Sequence, residues 1–542
     1  MISRVNYPLW SIFSWLLALA LIAPVAVMIF SGATANSETL THLWQTVLPD
    51  YVLNTLLLAL YVVVLVILFG VPTAAFVSLT NLKTRATLRW ALLLPLAMPA
   101  YVIAYLYTDF FDYAGPIQRQ LRSMFNWQSP ADYWFFDLRT LTGAAIMIAL
   151  VLFPYVYMLV RTAFEHQDPK LIKAGRSLGL SELQCFYRIS LPLARPAIAI
   201  SSSLVLMETL ADFATVQYFA VNTLTTAVYD TWLEYGELAT ANAIASLLMI
   251  LILLAVAAEY RARAHLRHQS QLNHEELPLI QLSPFQHLAG NCYCWLMVIT
   301  GFILPFLVLL DMTISHLEQT EFTQLFMSGV NSVEVAVYVA TIASLISLTL
   351  VLYRRLSGVK SNGRPLQLSG FGYAIPGTVL AMAMLATFGP LDHWINDLAV
   401  WFNVSKPGLI LSGSLFAIVF ALVTRFAAIA NGTIASGITK IPQSLDLAPA
   451  SLGVGKWHTV FRVHIPLLKS SFTVAWLLVF VEAMKELPAV LILRPFNFDT
   501  LSTQVYQMIS DERLEQGAIG ALLIVLFGLL PIIVLNRKEK LH

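Results

Sequence analysis

Charge is scarce in this chain. Only 12% of its 542 residues are Asp, Glu, Lys or Arg, against about 25% in an average soluble domain, which excludes a soluble enzyme. The charge that is present balances, with 32 Lys and Arg against 31 Asp and Glu, so there is no basic footprint for a nucleic acid. Cysteine is nearly missing as well. Cys185, Cys292 and Cys294 make no disulfide framework. Cys292 and Cys294 flank Tyr293 beside an apolar run, and a Cys-x-Cys without further ligands at metal spacing reads as ordinary membrane sequence. A phosphate-binding loop is absent too. The stretch GVGKW (453–457) has a Gly-Lys, but it lacks the earlier Gly at P-loop spacing and the following Ser or Thr.

What the sequence has instead is apolar length. Hydrophobic residues make up 58% of the chain, and the mean hydropathy is +0.73. A spanning helix needs about 20 apolar residues. Apolar runs fall near 9–31, 51–80, 88–108, 140–162, 196–220, 239–260, 288–311, 330–353, 367–388, 408–430, 469–493 and 514–536, which predicts twelve transmembrane helices and an all-α integral membrane protein. With 25 Gly and 25 Pro, several of them inside the runs, the helices are expected to be broken or tightly packed. Alternating the loops from a cytoplasmic N-terminus assigns 25 Lys and Arg to the inside and six to the outside, with Lys485 in a span. The positive-inside rule therefore predicts that both termini are cytoplasmic. The opening run, followed by Ala33-Thr34-Ala35, also resembles a cleaved signal peptide. Its length, and a similar span at 288–311, favour a retained helix.

The chain repeats itself. Asn54-Thr55 opens the second span and Asn331-Ser332 the eighth, 277 positions later. Pro99-Ala100 answers Pro376-Gly377 at the same offset. The stretch KAGRSLGLSELQCFYRISLPL (173–193) answers LAPASLGVGKWHTVFRVHIPL (447–467) at an offset of 274, and Glu208 answers Glu482. Six spans in each half starting from one side make a parallel repeat, expected to carry a pseudo-twofold axis along the membrane normal. The expected divisions are an N-terminal half 1–260 (core 50–258), a cytoplasmic linker 261–287 and a C-terminal half 288–542 (core 327–536). The linker histidines His265, His268, His274 and His287 read as parts of a solvated segment rather than as metal ligands.

Each half carries Gly, nine residues, then aliphatic-x-aliphatic-Pro: Gly179 to Ile189 and Pro192, and Gly453 to Val463 and Pro466. Two short helices meeting at such a Gly would make a compact cytoplasmic elbow, with the Pro suited to the start of the next helix. This pattern resembles the EAA motif of ABC importer permeases, and the resemblance covers nearly the whole chain. It implies a fused pair of permease domains of the type I importer kind, and elbows that seat in two copies of a separate ATPase subunit. It also implies substrate delivered by a periplasmic or lipid-anchored binding protein, and a bacterial inner-membrane location. The elbow residues by this resemblance are Ala174, Gly179, Ile189 and Pro192, and Ala448, Gly453, Val463 and Pro466. Lys173 and Leu447 replace the motif's leading Glu, and Gly175 and Pro449 its second Ala; Asp168 and Asp446 lie near enough to substitute for the acid. The chain is then a non-enzymatic pore subunit that binds no cofactor, and ATP is used by its partner.

The stretches LPLAMPAYVIAYLYTDFFDYAGPIQ (94–118), METLADFATVQYF (207–219) and KELPAVLILRPFNFDTLSTQVYQMISDE (485–512) resemble ferric-iron permeases of this class. Thiamine or another small ion is the alternative cargo, and an ion-gradient-driven secondary transporter the alternative machine. Ionisable residues within spans are functional candidates by default. Glu208 and Asp212 stand one helical turn apart, and Glu482, Lys485 and Glu486 share a helical face at i, i+3, i+4. These five either line the translocation path or form a charge network that fixes packing around Lys485. Tyr101, Tyr105 and Tyr107 read as interfacial belt tyrosines. Asp109, Asp112, Asp132, Asp137, Asp499, Asp511 and Glu512 lie in outer loops, where a delivering protein would dock.

Overall fold

The computed structural model describes residues 8–264, 279–357, 363–442, 444–451 and 455–539. Among them the chain is helical throughout, with one isolated parallel bridge between Thr80 and Ile280. Ten helices are long and apolar enough to cross a membrane: Leu9–Ala33, Leu48–Leu79, Leu141–Glu165, Glu182–Ala211, Leu238–Ala257, Pro284–Ser315, Phe322–Ser357, Leu415–Thr439, Trp457–Lys485 and Leu514–Ile533. The two remaining expected spans are bent. Arg85–Ala97 turns by 89° into Ala100–Phe125, and Arg364–Ala374 turns by 113° into Gly377–Trp401.

Proline sets both bends. Pro99 and Pro376 have extended backbones (ψ 137° and 148°) and start the second helix of each pair. The preceding Met98 and Ile375 are extended too (ψ 126° and 125°), as the clash of a proline ring with its predecessor requires. The runs 88–108 and 367–388 are therefore not straight spans. Proline also explains three π-helical turns, Phe186–Ser190, Ile299–Ile303 and Val460–His464. Each is followed by one residue and then a proline, Pro192, Pro305 or Pro466. A proline inside a helix offers no N–H and crowds the carbonyl four residues back. Widening the preceding turn by one residue relieves that crowding without ending the helix.

The helices gather into two compact units that draw on both sequence halves. One contains Met1–Leu43, Val228–Met249 and Glu321–Gln504; the other contains Trp44–Ala227, Ile250–Thr320 and Val505–His542. In the first unit the opening helix packs on C-terminal-half helices. Trp10 stacks on Trp457 with ring centroids 5.0 Å apart, and Tyr353 Oη donates to Ser11 Oγ at 2.9 Å. Asn242 Nδ2 donates to Ser31 Oγ at 2.9 Å. In the second unit the Pro284–Ser315 helix is received by N-terminal-half helices. Tyr293 Oη donates to the Leu68 carbonyl and Tyr107 Oη to the Thr300 carbonyl, each at 2.6 Å.

One sequence expectation needs correcting. Tyr101, Tyr105 and Tyr107 are not belt residues; all three are buried. Tyr101 meets Tyr506 edge-on and Tyr105 packs on Tyr218, because their helix lies inside its unit rather than at a lipid boundary. The described end of the linker, though exposed or half-exposed, is also tied down. Residues 280–282 are hydrogen-bonded to Leu79 and Asn81 at the end of the Leu48–Leu79 helix, and His287 sits in the Pro284–Val298 helix. His265, His268 and His274 lie outside the described residues.

The loop after Gly377–Trp401 is held by one buried acid. Asp392 accepts from the Leu411 N–H at 2.9 Å, the Ser412 N–H at 2.8 Å and the Ser412 hydroxyl at 2.6 Å. Asp392→Ala leaves these donors without an acceptor and should cost about 1–3 kcal/mol. This would be read as a lower thermal midpoint of the detergent-solubilised protein, with Asp392→Asn recovering part of the loss.

Candidate functional site

The first elbow begins with the helix Pro169–Ser177, whose N-cap is Asp168; its carboxylate accepts from the Lys170 N–H at 3.0 Å. After Leu178 the chain turns at Gly179, where φ is +83° and open space surrounds the Cα. Only glycine takes that conformation without strain. The second elbow helix is not a separate short piece. It runs from Glu182 through the π turn into the long helix ending at Ala211, so Ile189 and Pro192 lie at the foot of that helix. Gly175, where the EAA motif has Ala, is where the two helices touch: a Cβ there would stand 2.6 Å from Ile189 Cδ1. Arg176 and Glu182 join them at 3.3 Å. Ala174 is exposed beside this contact, and Leu171, Leu178, Leu183 and Tyr187 present apolar surface around it.

The described residues of the second elbow are fastened differently. Ala448 lies in the helix Ser444–Ser451, Gly453 lies outside the described residues, and Val463 and Pro466 stand at the foot of the helix ending at Lys485. Asp446 Oδ2 accepts from Arg355 Nε at 2.7 Å, and Oδ1 is 2.9 Å from Nε2 of the fully buried His464. Arg355 also donates to the Ile441 carbonyl at 2.9 Å. The acid near the missing motif Glu thus ties the elbow to the end of the Phe322–Ser357 helix, whereas Asp168 in the first elbow is a helix cap.

The four span acids and Lys485 separate into two sets. Helices end at Ala211 and Lys485, and the next residues, Asp212 and Glu486, have extended backbones (ψ 131° and 125°). The helical spacing drawn from sequence therefore stops one residue short of both. Asp212 turns to cap the helix Ala214–Tyr218, accepting from the Thr215 N–H at 3.1 Å and its hydroxyl at 2.9 Å. Glu486 turns to Arg425, with an Oε1–Nη1 distance of 3.1 Å and both side chains buried. Glu208, Glu482 and Lys485 stay on their helices. Lys485 Nζ is 3.4 Å from Glu482 Oε1, and the Glu482 side chain is 36% exposed.

A second duplicated feature lies beside these acids, and the sequence reading missed it. VNTLTTA (221–227) and FDTLSTQ (498–504) match at the same offset of 277. The Leu224 N–H donates to Thr55 Oγ1 at 2.9 Å, and the Leu501 N–H to Ser332 Oγ at 2.7 Å. Thr225 Oγ1 donates to the Asp212 carbonyl at 2.8 Å, and Ser502 Oγ to the Glu486 carbonyl at 2.9 Å. These bonds explain the Asn54-Thr55 and Asn331-Ser332 landmarks: their hydroxyls receive the chain that returns after each break.

Removing one partner of a buried ion pair leaves an uncompensated charge and costs about 3–5 kcal/mol. Arg425→Met alone should therefore destabilise the detergent-solubilised protein strongly. Adding Glu486→Gln, which keeps an acceptor for the Ala489 N–H, should recover much of the loss in thermal denaturation.

Comparison with known proteins places this geometry. Residues 66–264 and 367–538, one segment from each half of the repeat, match the family described as binding-protein-dependent transport system inner membrane component. The Fe(3+)-transport system permease protein FbpB 2 of Haemophilus influenzae is 24% identical over 545 residues, covering 98% of both chains. The ferric transport system permease protein FbpB of Actinobacillus pleuropneumoniae is 24% identical over 532 residues, covering 92% of this chain and 72% of its own. A helical, multi-span chain and two family segments, one in each half of the repeat, lead to one conclusion: the chain belongs to the binding-protein-dependent transport system inner membrane components, the multi-pass permeases of ABC transporters.

Proposed function

We propose that this permease carries ferric iron into the cytoplasm. The observation that supports the cargo is the match to a protein named as an Fe(3+) permease over 98% of both chains. A soluble or lipid-anchored binding protein delivers the ion outside, and two copies of a separate ATPase grip the two elbows inside. Both termini face the cytoplasm. ATP-driven approach of the ATPases moves the elbows and opens the pore outward; hydrolysis and release reset it inward. The chain forms no covalent bond with its cargo, and ATP is bound and spent by the partner.

The exposed apolar side chains on the elbows support the docking step, since Leu178, Leu183 and Tyr187 in the first and Trp457 and Phe461 in the second suit a protein partner. Glu208 and Glu482 are the candidate path residues, with Lys485 3.4 Å from Glu482. Asp212 and Glu486 hold the backbone turn just beyond them. Carboxylates suit a hard, highly charged cation.

Uptake of radiolabelled ferric ion, in cells that also hold the binding protein and ATPase, should fall to background when this chain is deleted and be unaffected by excess thiamine. Persistent uptake on deletion, or competition by thiamine, would remove the iron assignment. Glu208→Gln combined with Glu482→Gln should lower uptake while the ATPase still co-purifies; unchanged uptake would end the path role. Gly179→Val, which forces a β-branched residue into a left-handed backbone, should weaken ATPase co-purification. Transport by the purified chain alone, driven by an ion gradient in liposomes, would favour a secondary transporter.

A further inference from the structure

The end of the linker between the two sequence halves is fastened to the foot of an N-terminal-half helix. The Ile280 N–H donates to the Leu79 carbonyl at 2.8 Å, and the Ile280 carbonyl accepts from the Asn81 N–H at 3.2 Å. Asn81 then doubles the tie. Its Nδ2 donates to Gln281 Oε1 at 2.6 Å, and its Oδ1 accepts from the Leu282 N–H at 3.1 Å. The chain continues at once into the Pro284–Val298 helix, capped by Ser283, and that helix is bonded to the same Leu48–Leu79 helix through Tyr293 and Leu68.

Ile280 and Leu79 line a small crevice together with Ile172 and Arg176 of the first elbow helix and Cys185 and Phe186 of the second. Linker, both elbow helices and the end of the Leu48–Leu79 helix therefore meet at one point. The second elbow is fastened to its own unit through Asp446, Arg355 and His464 instead. Arg355 and Asp446 stand on the elements that the second elbow joins, so that fastening needs no linker.

We propose that residues 280–282 are a strut that braces the N-terminal elbow against the Leu48–Leu79 helix, so that movement of the elbow is passed to the membrane helices instead of being lost in a hinge. This rests on the reading that the elbows seat ATPase subunits. Asn81 is the positioning residue of the strut: it sets the backbone that does the bracing. A backbone pairing with a side-chain amide on both flanks resists shear along the strand direction, which a single apolar contact does not.

The test uses the full chain reconstituted in liposomes with its ATPase and binding protein, reading cargo carried per ATP hydrolysed. Asn81→Ala removes both side-chain bonds; Asn81→Asp keeps an acceptor for the Leu282 N–H. The expected result is ATPase co-purification equal to the parent, a several-fold fall in cargo per ATP with Asn81→Ala, and partial rescue with Asn81→Asp. An unchanged ratio in both variants would overturn the proposal, whether or not the thermal midpoint fell, because the contact would then serve stability alone. Loss of ATPase co-purification in Asn81→Ala would overturn it as well, since Asn81 would then belong to the docking surface. If the parent chain itself failed to retain the ATPase, the elbow reading would fall, and that outcome is separate from the other two.

Discussion

A helix that stops inside a membrane exposes N–H and C=O groups that lipid cannot satisfy, each at a cost of several kcal/mol. This chain stops helices at Ala211 and Lys485, and bends others at Pro99 and Pro376. The rest of the architecture follows from how those ends are satisfied. Hydroxyls do most of it. Thr55 and Ser332 accept the N–H of the returning chain, and Thr225 and Ser502 donate to the carbonyls of Asp212 and Glu486. Small polar residues at these positions let the backbone break without leaving a bare peptide group, and the breaks bring ionisable side chains to places an unbroken helix would not offer.

The repeat keeps the geometry and varies the chemistry. Asp212 and Glu486 occupy equivalent turns, yet one carboxylate caps a short helix and the other neutralises a buried guanidinium. A carboxylate one methylene longer reaches Arg425 across its unit, while the shorter one serves the nearest N–H groups. The elbows differ in the same way. One closes on Gly175 and an Arg176–Glu182 pair, with the linker against it; the other is held by Asp446 between Arg355 and His464. Both elbows present exposed apolar side chains, Leu178, Leu183 and Tyr187 in one and Trp457 and Phe461 in the other.

Much of this was legible before any coordinates. Apolar run length gave away the spans, since lipid demands unbroken stretches of about 20 residues, and the 274- and 277-residue offsets marked the two halves. Pro99 and Pro376 were visible as landmarks, but the 89° and 113° bends were not. Hydropathy counts apolar residues and is blind to the direction of a helix axis. The same blindness placed Tyr101, Tyr105 and Tyr107 at a lipid interface, because burial against other helices and contact with headgroups select similar residues. The spacing rule joins Glu482 and Lys485, which do pair, but it does not reach Glu486, because it presumes a helix that continues and this one ends at Lys485.

The sequence by itself determined that the chain lives in a membrane, that it is duplicated in parallel, and that each half carries an elbow of one family's pattern. These are properties of periodicity, composition and spacing, which survive translation into one dimension. Only the tertiary structure decided which helices share a unit, which acids pair and which cap, and that Ile280 lines a crevice with the first elbow. Those outcomes depend on contacts between residues such as Asn81 and Gln281, or Arg425 and Glu486, that are far apart along the chain. They are settled by which buried polar groups can find a partner once the apolar faces have packed.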